Sequence, residues 1–237
     1  MLMKKLPEWY YDELIQVGTD YESEDEVLNY DRKMGSIRNI AGEAETMCKL
    51  IDIQPENEIL EIGCGTGEFS IELSKYCKKV TALDISQKML DFAEKKAKFR
   101  QRENIKFINA GFLTFDSGET KYDAVVTQLV LHHLPDFWKL IALKNINSML
   151  KEGGKFFLKD VVFSSEIQDF DEYFSQLFQN MPTEADDKVV EAMKLHIKEE
   201  YSTFDWTMKG LIEQAGFKIE EYVHKKGFMA TYLCIKQ

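Results

Sequence analysis

The chain has 237 residues and a net charge of −11, with 41 acidic against 30 basic side chains, which argues against binding of DNA or bulk RNA, since that affinity rests on cations neutralising phosphates. Hydrophobic content of 44% with 16 phenylalanines supplies one sizeable core and excludes a disordered chain. Cys48, Cys64, Cys77 and Cys234 are scattered without C-x-x-C spacing, which excludes a zinc ribbon or a disulfide framework.

In chain order, Trp9, Tyr10, Glu13, Leu14 and Val17 mark a short amphipathic helix. Ser23-Glu24-Asp25-Glu26 reads as a capping box. Val27, Tyr30, Met34, Ile37, Ala41, Ala44, Cys48 and Ile51 then continue at three- and four-residue spacing, with a break expected near Gly35 and a stop at Pro55. The aromatic set Trp9, Tyr10, Tyr11, Tyr21 and Tyr30 either roofs a site or packs helices onto a sheet edge.

Strand and helix patterns alternate from there, which calls for a parallel sheet. Strands are expected near 58–63, 79–84, 105–110, 122–129 and 154–162, with helices near 67–77, 86–100 and 136–150. Ser86 and Asp136 stand where N-caps belong. The basic run from Lys95 to Arg102 ends the second of these helices, where cations suit the helix terminus and face solvent.

After Val162 the pattern changes. Phe170, Tyr173, Phe174, Leu177, Phe178 and Met181 share one helical face stopped by Pro182, and Val189, Val190, Met193, His196 and Ile197 share another. This insertion over 163–202 is either a lid on an acceptor pocket or a helical pair completing a core or dimer contact. A last helix from Thr203 ends at Gly216, and Phe217 to His224 and Phe228 to Ile235 read as a hairpin turning at Lys225-Lys226-Gly227.

Glu61-Ile62-Gly63-Cys64-Gly65-Thr66-Gly67 is the stretch that carries chemistry. It follows a short apolar strand and opens a helix. Glycines there allow positive φ and close backbone approach to a ligand, and a helix start offers unpaired N–H groups. A carboxylate at Glu61 disfavours a pyrophosphate and suits a ligand bearing a cationic amino group. Asp84 ends the second strand, 23 residues on, placed to accept from two ribose hydroxyls.

With Tyr122-Asp123-Ala124-Val125-Val126, Leu131-His132-His133-Leu134-Pro135-Asp136 and Leu150-Lys151-Glu152-Gly153-Gly154-Lys155-Phe156, this order resembles the class I S-adenosylmethionine-dependent methyltransferases. The resemblance covers residues 40–162 and the hairpin from 217 to 237. It implies a doubly wound α/β fold: a mostly parallel seven-stranded sheet with an antiparallel C-terminal hairpin, N-terminal helices and a helical insertion before the last helix. The corresponding division is an N-terminal extension over 1–39, a cofactor-binding core over 40–162, the insertion over 163–202, and the final helix and hairpin over 203–237.

The same resemblance implies S-adenosylmethionine as cofactor. Its methionine end would meet Gly63, Cys64, Gly65 and Gly67, with Glu61 on the amino group and Arg38 or Gln128 nearby. Asp84 would hold the ribose, and Ile85 and Met89 would cover the adenine. Gly111 stands where the family usually carries an acid for the adenine amine, so that amine must find a backbone carbonyl or Asn109, with Phe112 on the ring. His132 maps onto a general-base position of related O-methyltransferases, with His133 and Asp160 as further candidates. The spacing offers no third ligand for a metal.

Methyl transfer is an in-line displacement, so the protein mainly aligns its reactants. The acceptor is expected to be a small molecule. RNA and a non-catalytic cofactor-binding module are the alternatives, and the chain lacks an Asn-Pro-Pro-Tyr-type motif, a Pro-Cys nucleophile and an appended RNA domain. With no apolar run of membrane-spanning length and no signal-peptide core at the start, a cytoplasmic monomer or homodimer is expected.

Overall fold

The central strands are apolar on both sides, which sets the layering. Leu60, Ile62, Leu83, Val125, Phe156 and Leu158 join one buried cluster, while their neighbours Ile59, Val80, Ala82, Ala124, Val126 and Phe157 join another. A strand alternates its side chains between faces, so continuous apolar runs demand helices on both sides. Each such Leu or Ile contributes roughly 1.5–3 kcal/mol by leaving water.

The computed structural model describes residues 7–15, 23, 27, 29–32, 35, 38–179 and 187–237. The helices are α1 (Ile40–Leu50), α2 (Glu68–Leu73), α3 (Gln87–Phe99), α4 (Asp136–Met149), α5 (Phe170–Gln179), α6 (Asp187–Glu199) and α7 (Asp205–Gln214). The strands are β1 (Glu58–Ile62), β2 (Lys79–Asp84), β3 (Ile105–Asn109), β4 (Tyr122–Gln128), β5 (Leu150–Phe163), β6 (Thr203–Phe204), β7 (Phe217–Lys225) and β8 (Met229–Lys236). The main sheet runs β3-β2-β1-β4-β5-β8-β7. Its first five strands are parallel, and β8 and β7 close it antiparallel.

Helices α1, α2 and α3 cover one face through Ala44, Met47, Phe69, Leu73 and Leu90. Helices α4 and α7 cover the other through Ala142, Leu143, Ile146, Met208 and Ile212. The strand order reverses between β1 and β4, and in open α/β sheets such a reversal leaves a crevice at the carboxyl ends of the strands.

Local chemistry sets most boundaries. The Ser86 hydroxyl accepts from the Met89 N–H at 3.2 Å, capping α3 as its position suggests. Lys96 and Lys98 occupy the last turn of that helix, and Lys96 and Arg100 both reach Glu68. Gly216 has φ +86° just after α7. Lys226 and Gly227 have φ +55° and +74° in the three-residue connection between β7 and β8, where positive φ turns the chain tightly.

Several expected boundaries move. Asp136 does not cap α4: Pro135 precedes the helix without a side-chain bond, while the Asp136 carboxylate takes Lys139 Nζ at 2.7 Å and the Thr203 hydroxyl at 3.1 Å. The last helix starts at Asp205 rather than Thr203, because Thr203-Phe204 pairs in parallel with Val162-Phe163 as an eighth strand. Helix α2 stops at Leu73 rather than near 77, where Lys75 and Tyr76 turn to i−3 carbonyls. Strand β5 begins at Leu150, with a register shift against Tyr122 and Ala124 that absorbs Gly153 at φ +69°.

In the N-terminal region Val27, Asn29–Arg32 and Gly35 are helical and Arg38-Asn39 are not, so a break separates Gly35 from α1. Asn39 Oδ1 there accepts from the Gly42 N–H at 3.1 Å and starts α1. The helical readings at Val17, Met34, Ile37 and Met181, the stop at Pro182, Tyr21 and most of the Ser23-Glu26 capping box lie outside the described residues, as does the Val189 side chain. Among the described residues no helix is long and apolar enough to cross a membrane.

Candidate functional site

Leu83 at the end of β2 accepts from both Gly63 N–H and Cys64 N–H at 2.8 Å, folding the glycine turn over the adjacent strand. Gly63, Gly65 and Gly67 all have positive φ, at +79°, +52° and +75°. A Cβ at Gly63 would come within 2.2 Å of Val130, so that position is closed to any side chain. At Gly65 the nearest atom would be Tyr30 at 3.6 Å, so space lies above it. Gly67 packs on Ala93 of α3.

Asp84 faces the turn from β2. Its Oδ2 accepts from the Gly65 N–H at 2.7 Å and its Oδ1 from the Ser86 N–H at 2.9 Å. Glu61 does not reach the opening: it is buried behind the turn and accepts from the Ser70 hydroxyl. Burial raises its carboxyl to about 7, the Ser70 bond opposes this, and the Asp84 charge adds to it. Cys64 is buried in the turn, and its thiol is held protonated by the same burial.

A cleft opens where β1, β2 and β4 end. Gly63, Gly65, Asp84, Ile85 and Met89 form one wall, and Gly111, Phe112, Gln128 and His133 belong to the others. Of the residues singled out from sequence, these nine meet at one opening. Glu61, Cys64, Gly67, Arg38, His132 and Asp160 stand outside its lining. Arg38 is committed elsewhere, pairing with Glu43 and donating to Gln128 Oε1 at 2.7 Å, while Lys159 reaches the same Glu43 at 2.8 Å. Burial raises the Glu43 carboxyl, but Arg38 and Lys159 outweigh it and leave it lowered. Gln128 is thereby held at the cleft by a charged cluster behind it.

The sequence reading offered Tyr30 as part of a possible roof but missed Glu13 and Ile15; all three line the cleft. Glu13 Oε1 accepts from the Leu113 N–H at 2.9 Å, the Thr114 N–H at 2.7 Å and the Thr114 hydroxyl at 2.7 Å. Burial raises its carboxyl, and these bonds oppose the shift. An acidic residue on an amphipathic stretch reads as solvent-facing, and only the backbone donors 100 residues away make its burial tolerable. Tyr30 alone of the described aromatic set roofs the cleft, while Tyr10 and Tyr11 pack on Trp138 of α4 with ring centroids 4.6 and 6.0 Å apart. Leu129, also in the lining, holds φ +60°, a strained conformation of the kind that concentrates at functional sites.

The two adjacent histidines separate. His133 lines the cleft. His132 turns into the protein, its Nδ1 against Asp160 Oδ1 and its Nε2 3.1 Å from Glu200 Oε2. Burial lowers the His132 pKa, but the Asp160 and Glu200 carboxylates outweigh it and raise the ring to about 9. Burial and the neighbouring His132 charge push His133 down to about 4. His196, from the insertion, shares Glu200 and contacts the Ser202 hydroxyl at 2.8 Å. The fold also supplies the third group that spacing does not offer: ligand atoms of His132, His133 and Glu200 lie within 4.8 Å of one another. His132 already pairs with carboxylates on both ring nitrogens, so a proton satisfies this cluster.

A sequence profile described as a methyltransferase domain matches residues 59–154. A demethylmenaquinone methyltransferase of Staphylococcus haemolyticus is 30% identical in an alignment that covers 80% of this chain and 80% of that protein. A demethylmenaquinone methyltransferase of Lactococcus lactis is 27% identical over 93% of this chain and 86% of its own length. Among solved structures, an S-adenosylmethionine-dependent methyltransferase from Clostridium acetobutylicum shares the fold with a TM-score of 0.67, at 16% identity over 90% of this chain and 98% of its own. Sequence profile, relatives and sheet order agree, and the chain belongs to the class I S-adenosylmethionine-dependent methyltransferases.

Proposed function

We propose that the cleft at the β1, β2 and β4 ends holds S-adenosylmethionine and passes its methyl group to a small cyclic acceptor of the quinol class. The cofactor supplies the activated methyl and the leaving sulfur. The chain's own residues bind, orient and exclude water. The Gly63–Gly65 backbone admits the methionine end, Asp84 accepts from the ribose, and Ile85, Met89 and Phe112 enclose the base. Gln128, fixed by Arg38, orients the methionine portion. Glu61 acts from behind, through Ser70 and the turn.

The observation that carries this reading is the union of turn and acid, with Gly65 donating to Asp84 in the wall of one cleft. The acceptor class rests on the relatives, which are named for demethylmenaquinone. A quinol hydroxyl must lose its proton as the methyl arrives, at that oxygen or the ring carbon beside it. His133 suits that role better than His132: it borders the cleft and stays neutral near pH 7, whereas His132 is held as an imidazolium. A general base must be unprotonated and within reach.

The 1–39 extension covers the cofactor through Glu13 and Tyr30. The 163–202 insertion covers the acceptor side, anchored where Glu200 meets His132 and the Tyr201 N–H donates to His132 O at 2.9 Å. The four cysteines, all buried as free thiols, fit a reducing cytoplasm. The test is transfer of labelled methyl from S-adenosylmethionine to a panel of quinols, catechols, carboxylic acids, amines and tRNA. Label in the quinols is expected, and label confined to amines or tRNA overturns the acceptor class.

A further inference from the structure

We infer that Glu13 is the group that reads the adenine amine, taking the place of the acid that the chain lacks after β3. The inference rests on the cofactor reading above and adds to it a specificity-determining residue from a different part of the chain.

Gly111 follows β3 with no side chain to offer. The space a side chain would fill is occupied: a Cβ built on Gly111 would lie 2.5 Å from Glu13 Oε2 and 2.8 Å from Oε1. Glycine at 111 and the carboxylate of residue 13 therefore share one volume, and no larger residue fits at 111 while Glu13 is in place. The carboxylate enters from the N-terminal segment and arrives where an acid on residue 111 would begin.

Its orientation is set. Oε1 receives the Leu113 N–H, the Thr114 N–H and the Thr114 hydroxyl, and three donors on one oxygen fix the plane of the group. Oε2 takes none of these three bonds, and the Phe112 N–H is a further donor beside the carboxylate. Glu13 lines the cleft beside Ile85, Met89 and Phe112, the apolar side chains between which a flat base fits. An ionised carboxylate only accepts hydrogen bonds, so its complement is a donor, and the exocyclic amine of adenine donates twice. The competing side chain, Asn109, stands outside the cleft lining, held there by its amide nitrogen, which donates to the Asp84 and Ile85 carbonyls at 3.1 and 2.8 Å.

The test measures base preference by calorimetry, using S-adenosylhomocysteine and its hypoxanthine counterpart, S-inosylhomocysteine, which carries a 6-oxo group in place of the amine. Wild type should favour the adenine ligand by roughly 10–100-fold, the scale of hydrogen bonds to a charged group. Glu13→Gln must keep its oxygen on the three donors, which turns its NH₂ towards the base and matches the 6-oxo group. The preference should then fall at least tenfold, with the hypoxanthine ligand bound as well as before or better. Glu13→Asp, one methylene shorter, should lower the preference too, and serves if the glutamine variant does not fold. Asn109→Ala should leave the preference unchanged.

Equal weakening of both ligands in the Glu13 variants would make Glu13 only a clasp for the 111–114 turn and overturn the inference. Loss of preference in Asn109→Ala instead would overturn it in favour of that residue. Failure of the underlying cofactor reading shows separately: wild type would bind neither ligand, or Asp84→Ala would bind both undiminished.

Discussion

The Gly65 N–H donates to Asp84 Oδ2 at 2.7 Å, so the glycine turn after β1 and the acid ending β2 form one hydrogen-bonded unit. Asp84 also accepts from the Ser86 N–H at 2.9 Å, which ties it to the start of α3. On the proposed cofactor reading, replacing it removes a ligand acceptor and loosens the turn together. Asp84→Ala is expected to weaken S-adenosylhomocysteine binding by roughly 1.5–3 kcal/mol, as for hydrogen bonds to a charged group, with the fold retained. Calorimetry alongside a thermal melt checks both halves.

Two glycines of the turn should respond differently. At Gly63 a methyl group would strike Val130 at 2.2 Å on a backbone of φ +79°. At Gly65 the nearest atom is 3.6 Å away and only the positive φ of +52° is costly. Gly65→Ala should cost roughly 1–3 kcal/mol, the usual strain of a non-glycine residue in that region, and Gly63→Ala clearly more. Adding Val130→Ala should recover the steric part at Gly63 and none of the strain. Urea melts of the three variants decide it.

The layering was legible in the sequence because the strands facing helices on both sides must be apolar throughout, as Ile59-Leu60 and Ala124-Val125-Val126 are. The turn and Asp84 were legible because adjacent elements of the chain build them. Glu13 was not: its partners Leu113 and Thr114 lie 100 and 101 residues away, and nothing local distinguishes it from a solvated helix acid. The separation of His132 from His133 was equally hidden. Adjacent residues point apart, and which one faces the cleft depends on Asp160 of β5 and on Glu200 just after α6.

That separation gives stability a definite pH dependence. The His132 pKa is about 9 in the folded chain, against about 6.5 when unfolded. Its pairing with Asp160 and Glu200 therefore stabilises fully below pH ~6.5 and is lost as pH rises through about 9, by on the order of 3 kcal/mol across that window. His133 has the opposite sign: held down at about 4 by burial, it favours unfolding as pH drops below about 6.5. Unfolding free energies should fall from pH 6.5 to 9 in wild type. His132→Gln should flatten that slope while lowering stability overall, because two buried carboxylates lose their cation.

Turnover should divide between the histidines in the other direction. His133→Ala is expected to reduce methyl transfer to a quinol by roughly 10²–10⁴, the span of a general base, with cofactor affinity nearly unchanged. His132→Gln should act mainly through stability, and its activity should recover at temperatures well below its melting point. Single-turnover rates for folded protein, measured beside ligand affinity, separate these effects. A small loss in His133→Ala would move the search for a base away from the cleft wall.

The most direct test of the whole account is a crystal structure with S-adenosylhomocysteine. The ribose should lie on Asp84, the base between Ile85 and Phe112, the methionine end over Gly63 and Gly65, and the sulfur should face the side of the cleft bordered by Gln128 and His133. Ligand density outside this cleft, or a ribose away from Asp84, would contradict it.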